Sequence, residues 1–161
     1  MNPAALERLL AIRDGLEPLP KLYATLGLRV VSAEIGSVRM DLLPMVGHAN
    51  PHGFMGGGVI ATVLDTSTAW ACDTMCAPGR ACVTIDLNVN FLRPVRIDDR
   101  ALLAHATIVH SGSRIMVAEG KLWQADGKLV AAAKSTCMVV ASDPVERPRN
   151  RLADRTRNET T

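Results

Sequence analysis

Hydrophobic positions along this chain keep two different periods, and the points where the period changes mark out its elements. Leu6, Leu9 and Leu10, with Arg13, recur at helical spacing, so residues 4 to 13 are predicted to form a short amphipathic helix that Pro18 and Pro20 end. From Leu28 to Leu43 the pattern alternates. Val38, Met40 and Leu42 face one way, Ser37, Arg39 and Asp41 the other, and Gly36-Ser37 turns the chain between two strands. A polar loop from Gly47 to Met55 then reaches three consecutive glycines, Gly56-Gly57-Gly58. A helix apolar on most sides (Val59, Ile60, Val63, Leu64, Trp70) is predicted from about Gly57 to Asp73. After Pro78-Gly79 the period returns to two. Val83, Ile85, Leu87, Val89 and Phe91 alternate with Thr84, Asp86, Asn88 and Asn90, and Arg93-Pro94 closes the strand. Ala101 to Val109, Arg114 to Gln124 and Leu129 to Val140 are the remaining strands, separated by Gly112-Ser113 and the hairpin signal Asp126-Gly127.

The order is therefore one helix, two strands, a long helix, then four strands joined by short turns. Short turns imply antiparallel neighbours, and an apolar helix suits the inside of a curved sheet. The expected class is α+β, a long central helix wrapped by a curved antiparallel sheet of about five to six strands. Residues 1–20 read as an N-terminal helix and lead-in, 21–142 as the folded domain, and 143–161 as a polar, disordered tail.

Composition narrows the functional classes. The chain is 48% hydrophobic but only 3% aromatic, so its core is built from Val, Leu, Ile, Ala and Met. Eighteen basic against 16 acidic residues give a net charge of +2, too balanced to argue for nucleic acid. The first ten residues lack the basic start and apolar block of a secretory signal, and Asp65 and Asp73 interrupt the longest apolar run. A cytoplasmic protein with no membrane partner is the expectation. Cys72, Cys76, Cys82 and Cys137 have neither disulfide-framework nor C-x-x-C spacing, so they read as buried free thiols and no metal site is expected.

One carboxylate stands out. Asp65 lies inside the apolar helix, and its neighbours one turn away (Ala61, Thr62, Thr68, Ala69) are all small, which leaves room for a ligand beside it. The same helix begins with bare glycine N–H groups that attract negative charge. Either an acid–base site or a structurally bonded Asp fits these facts. Gly57 and Asp65 are eight residues apart, about 12 Å along one helix. Reacting atoms must approach within about 3–3.5 Å, so both act on one substrate only if they come from two copies of the helix. Gly56-x-Gly58-x-x-Ala61 also fits a dinucleotide-binding pattern, but a loop with Pro51 precedes it and a meander follows, which excludes that reading. His48, His52, His105 and His110 lack a G-x-S-x-G serine partner, and His105 falls within a strand. Asn50 is placed to hold the glycine loop or orient a reactant. Thr84, on the polar face of its strand, is placed to bind water or a carboxylate, or is a simple surface residue.

The run Asn50 … Gly53 … Gly57-Gly58-Val59-Ile60-Ala61-Thr62-Val63-Leu64-Asp65, followed by Val83-Thr84-Ile85-Asp86-Leu87-Asn88-Val89-Asn90-Phe91-Leu92-Arg93-Pro94, resembles the hotdog-fold thioesterases of the phenylacetate-degradation PaaI type. The resemblance extends from about Leu26 to Val140 and includes Asp126-Gly127-Lys128-Leu129-Val130-Ala131. It implies hydrolysis of acyl-coenzyme A by a homodimer or dimer of dimers, with no cofactor beyond the coenzyme A of the substrate. It also implies an N–H of Gly57 at the thioester carbonyl, Asp65 of the partner subunit as nucleophile or general base, Asn50 orienting thioester or water, and Thr84 positioning the water. Coenzyme A contacts would come from Phe91 and Arg93 and from His110, Gly112 and Arg114, with Gly58 and His52 beside the substrate. Where the family reads His-Gly-Gly, this chain reads Gly56-Gly57-Gly58, and His52 is the candidate substitute for the imidazole. Two other readings share the fold: an acyl-CoA binding or sensing module without turnover, and a hotdog hydratase or dehydratase.

Overall fold

The computed structural model describes residues 3–142, and the polar tail expected from residue 143 lies outside them. In chain order the elements are α1 (Pro3–Arg13), α2 (Lys21–Thr25), β1 (Leu28–Glu34), β2 (Ser37–Leu42), α3 (Gly57–Met75), β3 (Arg80–Phe91), β4 (Leu102–Ser111), β5 (Ile115–Trp123) and β6 (Leu129–Ala141). A single 3-10 turn, Val46–His48, lies between β2 and α3. The strands form one six-stranded sheet in the order β1-β2-β4-β5-β6-β3, every neighbouring pair antiparallel. With α3 packed against the curved sheet, this is the hotdog arrangement.

The short helix α2 is absent from the sequence expectation. Pro20, read as a stop, is its N-cap, with φ −53° and ψ 142°. Proline suits a helix start because its missing N–H would be unpaired there anyway. The helix turns Tyr23 edge-on to Trp70 of α3, ring centroids 5.3 Å apart.

A core poor in aromatic residues is filled by contrast of size. The inner sheet face carries Ala104, Ala106, Ala118, Ala131 and Ala133, while α3 supplies Ile60, Val63 and Leu64. Gly120 of β5 marks the closest approach: a Cβ there would lie 3.0 Å from Thr68 Cγ2 and 3.3 Å from Leu64 Cδ2. The small floor lets the helix sink onto the sheet, the dense packing that protein interiors require. Hydroxyls buried on α3 are satisfied within it. Thr66 donates to the carbonyl of Thr62 (2.7 Å), Thr68 to Leu64 (2.8 Å) and Thr74 to Ala71 (2.7 Å). Thr74 Oγ1 also accepts the N–H of Gly36 at 2.7 Å, fixing the β1–β2 turn to the far end of α3.

Strand β3 departs from the uninterrupted alternation expected of it. Thr84 pairs with Cys137 and Asp86 with Thr136, so Ile85 is an extra residue, a β-bulge. Because side chains alternate, one added residue exchanges the two faces. Before the bulge Cys82 packs inward, and beyond it Leu87 and Val89 do. Thr84 consequently faces α3 rather than standing on the outer polar face. Val83 and Ile85 point outward, 44% and 54% exposed.

Candidate active site

The glycine loop is held by its own backbone and one side chain. Asn50 Oδ1 accepts the N–H groups of His52 (2.9 Å) and Phe54 (3.2 Å). Its main chain exchanges bonds with Phe54 and Gly53 (2.7 and 3.0 Å), and Gly53 takes the left-handed φ of 79° that the turn needs. Past the turn, Met55 N–H donates to Val95 O and Gly56 N–H to His48 O, each at 2.8 Å. The N–H groups of Gly57 and Gly58 are left with no acceptor among the described residues. No side chain caps this helix start, and no acid lies in its first turn. Two exposed donors at the positive end of a 19-residue helix form an anion-attracting point. A Cβ on Gly57 would lie 3.3 Å from Phe91 Cζ, so the half-exposed Phe91 ring covers the helix start. Arg93, two residues on, is exposed and held by its N–H to Val130 O (3.1 Å).

Two turns further along α3, Asp65 is half-buried. Thr84 donates its hydroxyl to Asp65 Oδ1 at 2.8 Å, a contact that the Ile85 bulge makes possible. One carboxylate oxygen is thereby fixed, and Oδ2 has no hydrogen-bond partner among the described residues.

The remaining expected residues fall into a third group. His110, Gly112 and Arg114 form the β4–β5 hairpin tip. A Cβ on Gly112 would stand 2.8 Å from Ile115 O and 3.0 Å from His110 Nε2, so only glycine fits the turn. This tip borders a groove of about 540 Å³ with Met75, Ala77 and Arg80, at the C-terminal end of α3. Within one chain the hairpin and the glycine loop stand at opposite ends of a helix about 28 Å long. Asp65 and Thr84 lie between them.

Comparison with known proteins gives the family of the chain. A thioesterase superfamily profile matches residues 52–131. Human acyl-coenzyme A thioesterase 13 is 30% identical over 111 residues, 66% of this chain and 76% of that protein. A structure described as a phenylacetic acid degradation-related protein of Ralstonia eutropha is 32% identical, with TM-score 0.72, covering 81% of this chain and 98% of that one. The chain belongs to the thioesterase superfamily. At the level of fold, the Escherichia coli PaaI protein of the phenylacetic acid degradation operon superimposes with TM-score 0.75 at 22% identity, over 86% of this chain and 98% of that one. Across the curated relatives, the matches span 63% to 76% of the relative's length. As a member of this superfamily the protein is a thioester hydrolase.

Not every sequence expectation meets in this thioesterase. His52 is exposed, while His48 is the imidazole buried beside Gly56: it is 3% exposed, and neither ring nitrogen makes a hydrogen bond among the described residues. Burial lowers its pKa from the ordinary 6.5, only partly offset by the Leu26 backbone. His105 is structural, as its strand position suggests, bonded to Ser37 Oγ at 3.0 Å. The signal for His48 was its proximity in sequence to the triple glycine, where polar loop residues give no indication of burial.

Proposed function

We propose that this thioesterase cleaves acyl-CoA thioesters as a homodimer whose two active sites each combine Gly57 of one subunit with Asp65 of the other. The observation that carries the reading is the separation of two complementary half-sites on α3. Unpaired N–H groups stand at its start, and a carboxylate with one fixed and one unengaged oxygen stands eight residues on. An antiparallel pairing of two copies brings each half to the other. Strand β3 offers the place for it, an edge strand with Val83, Ile85 and half-exposed Phe91 turned outward.

In this arrangement the thioester carbonyl accepts the N–H of Gly57. Negative charge grows on that oxygen as the tetrahedral intermediate forms, and one preorganised donor stabilises it by about 3 kcal/mol. The partner subunit's Asp65 either takes a proton from the attacking water or adds to the carbonyl itself, while Thr84 keeps its carboxylate aimed. Collapse breaks the C–S bond. Coenzyme A leaves as the thiolate and takes up a proton, so water and thioester give carboxylate, thiol and one proton. Asn50 keeps the loop in shape through Oδ1. Arg93 near the helix start, and His110 and Arg114 on the other subunit's hairpin, suit the phosphates of coenzyme A. No helix among the described residues is long and apolar enough to cross a membrane.

The test is release of free coenzyme A from aryl, short, medium and long acyl-CoA esters, with subunit number measured by sedimentation. A dimer or dimer of dimers that releases thiol from at least one class is expected. Gly56, lacking the imidazole, favours the second reading, binding without turnover. Tight binding of every ester with no thiol released would establish that reading instead.

A further inference from the structure

All four cysteines of the chain gather at the C-terminal half of α3. Cys72, Cys76 and Cys137 are buried and Cys82 is partly so. They form a small apolar cluster with Met116 and Ala118, separate from the main core. Cys76 Sγ lies 3.4 Å from Cys82 Sγ, and the Cys82 N–H donates to Asp73 Oδ1 at 2.6 Å. A carboxylate oxygen of Asp73 and the two sulfurs all fall within 4.8 Å of one another. Cys72, one helical turn before Cys76, is buried in the same cluster.

The helix end favours a cation here. Asp73 stands in the last turn of α3, where the helix end is already negative. Burial raises its carboxyl above the ordinary value, and Arg8, whose charge reaches it, is engaged by Glu17 at 3.5 Å. Arg80 reaches Cys76 from the strand side, yet burial still pushes that thiol up to about 12. Asp73 also lines a small cavity of about 80 Å³ between α1 and α3, which gives solvent a route to it.

We propose that Asp73, Cys76 and Cys82 form a structural site for a thiophilic divalent cation of the zinc type. Two thiolates and a carboxylate are a zinc donor set, with the fourth tetrahedral position left to water. Zinc–sulfur bonds of about 2.3 Å place tetrahedral thiolates about 3.8 Å apart. The observed 3.4 Å needs only a small rotation. Binding releases two thiol protons as the metal takes their place; the two thiolates balance the divalent charge, and the ionised Asp73 leaves the site with one negative charge. Such an ion would clamp the turn Ala77-Pro78-Gly79 between α3 and β3, its ligand Cys82 two residues before Thr84. The pattern Asp73-x2-Cys76-x5-Cys82 hid the site, because it resembles no paired C-x-x-C ligand spacing.

The full chain, reduced and freed of metal with chelator, is titrated with cobalt(II) as a spectroscopic substitute and then with zinc. The expected result is one cobalt per chain, with thiolate charge-transfer and intense tetrahedral d–d bands that zinc abolishes. Cys82→Ser should lose these bands and Cys137→Ala should keep them. Asp73→Asn retains the acceptor for the Cys82 N–H and so guards against a folding failure in Cys82→Ser; it should weaken zinc at least tenfold in chelator competition. Reduced wild type that shows no thiolate–cobalt bands would overturn the proposal. So would bands that persist in Cys82→Ser, zinc affinity unchanged in Asp73→Asn, or a Cys76–Cys82 disulfide in protein that takes no metal once reduced.

Discussion

The two ends of α3 solve opposite problems. At the start the helix is left open: three glycines, no capping side chain, no acid in the first turn, and main-chain donors turned to solvent. At the finish it is sealed by thiols, by Thr74 holding the β1–β2 turn, and by Asp73 holding β3. In the proposed mechanism, chemistry at the first end rests on backbone atoms, which substitution can block but not replace. Order at the second end rests on side chains, which substitution removes directly. Asp65 sits between, positioned by β3 from the closed end and, in the proposed dimer, serving the open end of another copy.

The largest effect should follow from Asp65→Asn. Asparagine still accepts from Thr84 but cannot act as base or nucleophile, so kcat for thiol release should fall by about 10²–10⁴-fold with the melting temperature and subunit number kept. Full activity in this variant would place the chemistry elsewhere. Gly57→Pro tests the open end, the half-exposed Phe91 ring giving way by a few tenths of an ångström to the new Cβ. Proline is favoured at a first helical position, and Gly56 at φ −63°, ψ 136° already has the conformation a residue before proline prefers. The fold should persist while one donor N–H disappears, lowering kcat by about 10²–10³-fold. Unchanged turnover would remove Gly57 from the oxyanion role.

Smaller effects probe stability. Since His48 has its folded-state pKa below 6.5, the folded protein binds that proton less tightly than the unfolded chain. The stability involved is complete above 6.5 and is lost as pH falls through the depressed value. Thermal melts across this range should show acid destabilisation that His48→Leu flattens, and removing two unpaired buried nitrogens should stabilise by about 1–3 kcal/mol. The smallest change belongs to the closed end. Asp73 is raised, so its stability is complete below the ordinary carboxylate value and is lost as pH rises through the folded one. In metal-free protein at neutral pH, Asp73→Asn should therefore melt a few degrees higher. A lower melting temperature would mean that the charge itself holds the turn.

Most of the architecture is legible in the sequence because periods of 3.6 and 2 differ clearly over ten or more residues. The long helix, its neighbouring strands and the suspect carboxylate are all visible that way. What escapes is whatever depends on a single residue or on contacts distant in sequence. Pro20 starts a helix rather than ending one, since proline's fixed φ serves both. Thr84 reaches Asp65 because of one inserted residue that periodicity cannot register. Cys137 joins three cysteines 55 or more residues away only through the β3–β6 pairing. His48 looked like any loop histidine until the loop folded over it.

The bulge at Ile85 also says something about how this chain can change over generations. Within one subunit its side chain is largely exposed, so the fold of a single chain accepts many residue types there. Its existence is another matter, for deleting it would turn Thr84 away from Asp65 or Leu87 and Val89 away from the core. For the contact between Thr84 and Asp65, what matters at this position is length, not identity.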